Sequence, residues 1–218
     1  MYYGADVLLS LGKVILGVYL AAIIHILITM AGGLAVVGKL NPMKFFKGIV
    51  TAQTVAFTST SSSGTLPITT QNTTENLGVS KPIASFVLPL GATINMDGTA
   101  LYQGVCAMFV AQAFGVQLGM EEYLVIILTS TLASIGTAGV PGAGLIMLTL
   151  VLTSVGLPIE GVAIIAGIDR ILDMARTTVN VTGDAMTSVL IAKSENELDE
   201  DIYNGNKIHE EVELQKTV

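Results

Sequence analysis

Asp169, Asp173, Arg176, Thr177, Asn180 and Asp184 recur at spacings of three and four residues. At about 100° per residue they share one face of a helix, within roughly a quarter to a third of its circumference. Ile168, Ile171, Leu172, Val179, Val181 and Val189 make the rest of that stretch apolar. A soluble amphipathic helix would turn such a face to water. In a membrane the same carboxylates, guanidinium and amide must face a protein interior or a wet cavity, where they mark a functional site. The residue types suit recognition of charged species rather than catalysis. No Ser–His or Asp–Asp arrangement accompanies them, and Asp169 and Asp173 come with Arg176 as a charge partner.

The composition calls for a membrane. Of 218 residues 51% are hydrophobic and only 12% charged, and the mean hydropathy is +0.70. Soluble domains do not combine so much apolar residue with so little charge. The net charge of -7 is local, because eight of the seventeen acids follow Ser194. There is no basic patch, which argues against nucleic acid as a partner. A single cysteine, Cys106, excludes an internal disulfide and a multi-cysteine metal site, and reads as a small buried apolar residue. No cleavable leader is expected in MYYGADVLLSLGK.

The elements that position the polar face follow from hydropathy and its interruptions. Val7 to Val37 is ample for one tilted membrane helix, assigned to residues 1–40. His25 within it reads as a packed histidine, since no acid lies one turn away. Lys39, Lys44 and Lys47 mark a cytoplasmic end. Residues 41–80 read as a re-entrant hairpin whose tip is Thr58 to Pro67, because a Ser-rich break is tolerated at membrane depth only where protein or a wet cavity surrounds it. Residues 81–115 form an interrupted span. Gly91, Asn95, Asp97 and Gly98 suggest unwound backbone there, and freed carbonyls with an amide and a carboxylate make a hard-oxygen site suited to Na⁺. Residues 116–160 form a second hairpin, entering from the opposite face with a Gly-rich tip at Ala133 to Gly144. The last span covers 161–193. The acidic tail, 194–218, is expected to be disordered and cytoplasmic. Asn72-Thr73-Thr74 and Asn180-Val181-Thr182 match the glycosylation pattern but lie where no glycan would be added. The expected fold is thus an all-α membrane protein in which two hairpin-plus-interrupted-helix halves form an inverted repeat, an arrangement that points to a transporter site near the midplane.

Ser61-Ser62-Ser63-Gly64-Thr65, Asn95-Met96-Asp97-Gly98-Thr99, Gly136-Thr137-Ala138-Gly139-Val140-Pro141-Gly142 and Asp173-Met174-Ala175-Arg176-Thr177 through Asn180 and Asp184 resemble the sodium- or proton-coupled glutamate/aspartate and dicarboxylate symporter family. Four long motifs stand in the family's order, and the match covers nearly everything from Val7 to Lys193. The resemblance implies a plasma- or inner-membrane symporter working as a homotrimer, with each transport domain moving like an elevator. It implies no enzyme activity and no cofactor beyond the coupling ion, Na⁺ or H⁺.

The resemblance also implies roles. Ser61, Ser62 and Ser63 would hold the substrate's α-carboxylate with help from Gly139 of the second tip and from Asn180, and Thr99 and Thr177 would also bind substrate. Arg176 would pair with the side-chain carboxylate, a task that suits a bidentate guanidinium. Asp173 would orient it, and Asp184 would receive the α-ammonium. Gly91, Thr93, Asn95, Asp97, Ser134, Ile135, Thr137, Asn180 and Asp184 would supply sodium ligands. The Gly136 to Gly142 tip would gate the site. Some relatives carry an arginine at the position of Thr60; here either Arg170 or no residue would take over its role. Asp184 favours an acidic amino acid over a plain C4-dicarboxylate, since a buried carboxylate needs a partner. Family members are much longer, and their earlier helices build the trimer scaffold. Three alternatives remain at this point: a C4-dicarboxylate symporter, a binding fragment that needs a separate amino half, and a channel.

Overall fold

The computed structural model describes residues 3–207, whose regular secondary structure is helical apart from one isolated bridge, Val79 to Leu198. The first helix, α1 (Tyr3–His25), passes through a π turn (Ile26–Met30) into α2 (Ala31–Val36). Leu9–Val36 is long and apolar enough to cross a membrane. Asn41 then caps α3 (Pro42–Ser59) through its side chain, which accepts from Met43 N at 2.9 Å, with Pro42 in the first turn.

α3 ends at Thr60 in the left-handed region (φ 55°), and Ser61 caps α4 (Ser62–Gln71) by accepting from Gly64 N at 3.0 Å. A π turn (Asn72–Asn76) extends α4. Two asparagines stitch this turn to α3: Asn72 accepts from Ala52 N and Asn76 donates to the Gly48 carbonyl, both at 2.9 Å. α5 (Lys81–Ile94) and α6 (Asp97–Ala113) are one interrupted helix, broken only at Asn95 and Met96, a narrower gap than Gly91 to Thr99. α7 (Met120–Ile135) and α8 (Ala143–Ser154) make the second pair, joined through Gly136 to Gly142. α9 (Gly161–Ala166) and α10 (Asp169–Ser194) are again an interrupted helix, split at Gly167 and Ile168. The element order is therefore helix pair then broken helix, twice.

α10 is the axis of the fold. All six of its spaced polar residues are buried, at 7% exposure or less. Two apolar clusters flank it. One joins Val14 and Val18 of α1 to Tyr102, Cys106, Leu148 and Leu172; the other joins Leu34, Phe45, Ile49, Leu88 and Val189. The outer faces of α1, the π turn after it and α7 stay exposed at Leu16, Leu20, Leu27, Leu124, Ile127 and Leu128.

The tail departs from the expected disorder over its described part. Asp199 N donates to the Gly78 carbonyl (2.8 Å) and Ser80 N to that of Glu197 (3.1 Å). A short α11 (Glu200–Tyr203) follows, and Ile202 and Tyr203 are buried. The Tyr203 hydroxyl donates to the Asn41 carbonyl at 3.0 Å, and Lys44 Nζ donates to that of Asn204 at 2.8 Å. Three apolar side chains in an otherwise polar stretch, Leu198, Ile202 and Tyr203, suffice to anchor it. Residues 208–218 of the tail lie outside the described residues.

Candidate functional site

The tips of the two helix pairs meet over α10. Ser61 Oγ donates to the Gly139 carbonyl at 2.8 Å, and Ser63 N donates to the same oxygen at 3.1 Å. This approach depends on a glycine: a Cβ at Gly139 would stand 2.6 Å from Ser63 Oγ and 3.0 Å from the Ala92 carbonyl. Below the contact lies a cavity of ≈ 10 Å³, lined by Thr60, Ser62, Met96, Thr99, Thr137 to Val140, Gly144, Asp173, Arg176, Thr177 and Asn180. That is about the room for one water molecule.

Asp173 and Arg176 form the charged floor. Arg176 Nε donates to Asp173 Oδ1 at 3.1 Å and Nη2 meets Oδ2 at 2.7 Å. Thr177 Oγ1 (2.8 Å) and Gly142 N (3.0 Å) also donate to Asp173, so the second tip is tied to α10 through this carboxylate. The guanidinium lies 4.6 Å from the centroid of the Tyr102 ring, a cation–π distance. Tyr102 donates in turn to Asp169 Oδ1 at 2.9 Å, and Asp169 lies 3.9 Å from Arg176 Nη1. Nη1 itself is buried without a hydrogen-bond partner. A Cβ at Gly144 would overlap the guanidinium, so only glycine lets α8 close over it. Arg170 reaches the first tip, donating to Thr60 Oγ1 and, at 2.6 Å, to the Thr58 carbonyl.

One turn deeper, an oxygen-rich group surrounds the break between α5 and α6. Asn180 Oδ1 accepts from Gly98 N at 2.9 Å, its Nδ2 donates to Thr99 Oγ1 at 3.2 Å, and Asn95 Nδ2 donates to Asp184 Oδ1 at 3.0 Å. Glycines again allow the approach: a Cβ at Gly91 would press on Asp184, and one at Gly98 on the Arg176 carbonyl. Asp97 Oδ1 is buried with no partner. An orphaned anionic oxygen beside an amide and a second carboxylate fits a hard monovalent cation such as Na⁺.

Several sequence expectations change here. Asp184 does not line the cavity under the tips; its bond to Asn95 and its contact with Gly91 hold it in the deeper group, and the carboxylate facing the cavity is Asp173. Thr93 is exposed and donates to the Pro89 carbonyl, and Ile135 is exposed. The Ser134 and Thr137 hydroxyls bond back within their own turn, to the Thr131 and Ala133 carbonyls. None of these four side chains bonds to the Asn95–Asp184 group, which leaves the sodium role expected of the second tip to its main-chain carbonyls. His25 has an acidic partner after all, Asp97, 2.8 Å from Nε2 and supplied by another helix. Tyr102 and Gly144 escaped sequence reasoning because a tyrosine and a glycine in apolar helices resemble core.

Comparison with known proteins follows the same residues. The profile of the sodium:dicarboxylate symporter family matches residues 1–194. Excitatory amino acid transporter 2 of Homo sapiens is 44% identical over 209 residues, which is 95% of this chain and 36% of the relative. An excitatory amino acid transporter of Caenorhabditis elegans is 50% identical over 168 residues, 77% of this chain and 33% of its own length. Excitatory amino acid transporter 1 of Homo sapiens is 43% identical over 201 residues, 91% of this chain and 37% of the relative. The chain thus spans little more than a third of the curated relatives it matches.

Proposed function

The chain belongs to the sodium:dicarboxylate symporter family, and from that premise we propose that it forms the substrate- and cation-binding part of a membrane symporter that couples Na⁺ to uptake of glutamate or aspartate. The observation that carries the proposal is the placing of Asp173 and Arg176 side by side beneath two meeting tips. A buried carboxylate and guanidinium match the ammonium and side-chain carboxylate of an acidic amino acid. A neutral amino acid would leave Arg176 unmatched, and a dicarboxylate without an amine would leave Asp173 unmatched, each at the cost of an unpaired buried charge. The ammonium role expected of Asp184 therefore passes to Asp173, and Asp184 keeps only its expected place among the cation ligands, with Asn95, Asp97 and Asn180.

In this reading α3/α4 and α7/α8 are re-entrant hairpins of opposite orientation. A cavity of ≈ 10 Å³ admits no amino acid, so one tip must move. The second tip is the mobile one: it is glycine-rich, and among the described residues its hydrogen bonds to the first tip and to α10 are the Gly139 and Gly142 contacts named above. Substrate entering between Asp173 and the Gly142 amide replaces that tie, and Na⁺ in the deeper group fixes Asn180, which lines the cavity and also bonds to Gly98 and Thr99 at the break. The homotrimer, the scaffold and the elevator movement implied by the family belong to the same proposal, with the scaffold in that part of the relatives this chain does not span.

The test is a cysteine at the exposed tip residue Val140. Maleimide labelling of Val140→Cys should slow when Na⁺ and L-aspartate are added together and not when L-aspartate is added in choline; native Cys106 is buried and stays silent. A labelling rate indifferent to both ligands contradicts the gate.

A further inference from the structure

We propose that His25 is a positioning residue for the cation group: it anchors one oxygen of Asp97 so that the other stays bare and aimed at the ion. The inference rests on the sodium-binding reading above and adds a residue, on a different helix, to which neither composition nor spacing assigned a role.

His25 is the last residue of α1, and the π turn Ile26–Met30 begins immediately after it. A single π turn inside a long helix locally widens the coil and recurs at functional sites. Here it follows the only histidine of Leu9–Val36. Asp97 is the first residue of α6, at the break whose backbone opens the deeper group. His25 Nε2 lies 2.8 Å from Asp97 Oδ2, across 72 residues of sequence.

The two oxygens of Asp97 differ. Oδ2 has the imidazole; Oδ1 is buried and has no partner. Gly183 keeps a notch open beside it, since a Cβ there would stand 3.3 Å from Asp97 Oδ1 and 3.0 Å from Asn95 Nδ2. A carboxylate free to rotate would turn Oδ1 toward any donor. Held by the imidazole Nε2 at 2.8 Å, it keeps one orientation. Ligating carboxylates are commonly fixed by such outer partners, and losing one lowers metal affinity by ~10–100-fold.

The experiment titrates Na⁺ against L-aspartate binding by calorimetry on the full chain. His25→Phe, which has no donor, should raise the half-saturating Na⁺ concentration by about 10–100-fold. L-Aspartate affinity at saturating Na⁺ should stay unchanged. His25→Gln, which keeps an N–H of similar reach, should restore most of the Na⁺ affinity. Should the Phe variant fail to fold, His25→Asn, too short to reach Asp97, must show the same shift. In an Asp97→Asn background His25→Phe should add nothing, because two residues acting through one contact are not additive. Additive effects, or an unchanged Na⁺ requirement with neither His25→Phe nor His25→Asn altering it, would overturn the inference while leaving the sodium-binding reading intact. Absence of any Na⁺ dependence in the unsubstituted chain would overturn both.

Discussion

Arg176 grips Asp173 with two contacts on one turn of α10, Nε to Oδ1 at 3.1 Å and Nη2 to Oδ2 at 2.7 Å, and keeps Nη1 without a hydrogen bond. A guanidinium has five donors in a fixed fork, so holding one carboxylate leaves it able to engage a second. Tyr102 under the ring and Gly144 over it leave the guanidinium little freedom to swing away.

Arg176→Ala should therefore weaken acidic amino acids far more than neutral ones. Hydrogen bonds to a charged group are worth ~1.5–3 kcal/mol, or about 10- to 150-fold in affinity. Competition binding with L-glutamate, L-aspartate and L-alanine reads the ratio directly. Equal loss across all three would remove the assigned role of Arg176.

Asp173 and Asp184 should separate by substrate. Asp173→Asn removes the partner of an ammonium and should cost L-aspartate much more affinity than succinate. Asp184→Asn should instead raise the Na⁺ requirement for both ligands alike. The opposite pattern would return the ammonium to Asp184.

Gly144→Ala places a methyl where the guanidinium lies, so α8 or Arg176 must shift. Binding of acidic amino acids should fall by roughly tenfold or more, in keeping with the ~1–3 kcal/mol of an overpacked core. Gly136→Ala is the matched control at the other end of the tip, where a Cβ meets nothing closer than 3.8 Å. Equal behaviour of the two variants would show that closure over Arg176 does not matter.

Much of this site can be read along one helix. Asp173, Arg176, Thr177 and Asn180 cooperate at i, i+3 and i+4, the spacing at which helical neighbours meet, and the breaks at Thr60 and Asn95 announce themselves through serine, glycine and asparagine. What depends on tertiary approach cannot be read that way. His25 finds Asp97 only because α1 packs beside α6, and spacing within α1 makes it look solitary. Asp184 shares a face with Asp173, yet it bonds to Asn95 and packs on Gly91 of the broken helix, apart from the cavity. The tail's acidic composition hides Ile202 and Tyr203, which anchor it against the start of α3.

The docked tail should respond to alkaline pH. Burial pushes the Tyr203 phenol up to about 12, whereas an unfolded phenol titrates near ~10. The docked state holds that proton more tightly, so its contribution to stability is complete below pH ~10 and is lost as pH rises through about 12. Limited proteolysis after Lys193 should accelerate over that window, and Tyr203→Phe should flatten the rise. Cleavage already rapid at neutral pH would contradict docking.

The most direct measurement is calorimetric binding of L-aspartate, L-glutamate and succinate to the purified chain, in Na⁺ and with choline in its place. The account predicts binding of the two amino acids in Na⁺, little binding of succinate, and none of any ligand in choline. Binding that ignores Na⁺, succinate bound as tightly as the amino acids, or no binding by a chain that is demonstrably folded would contradict it.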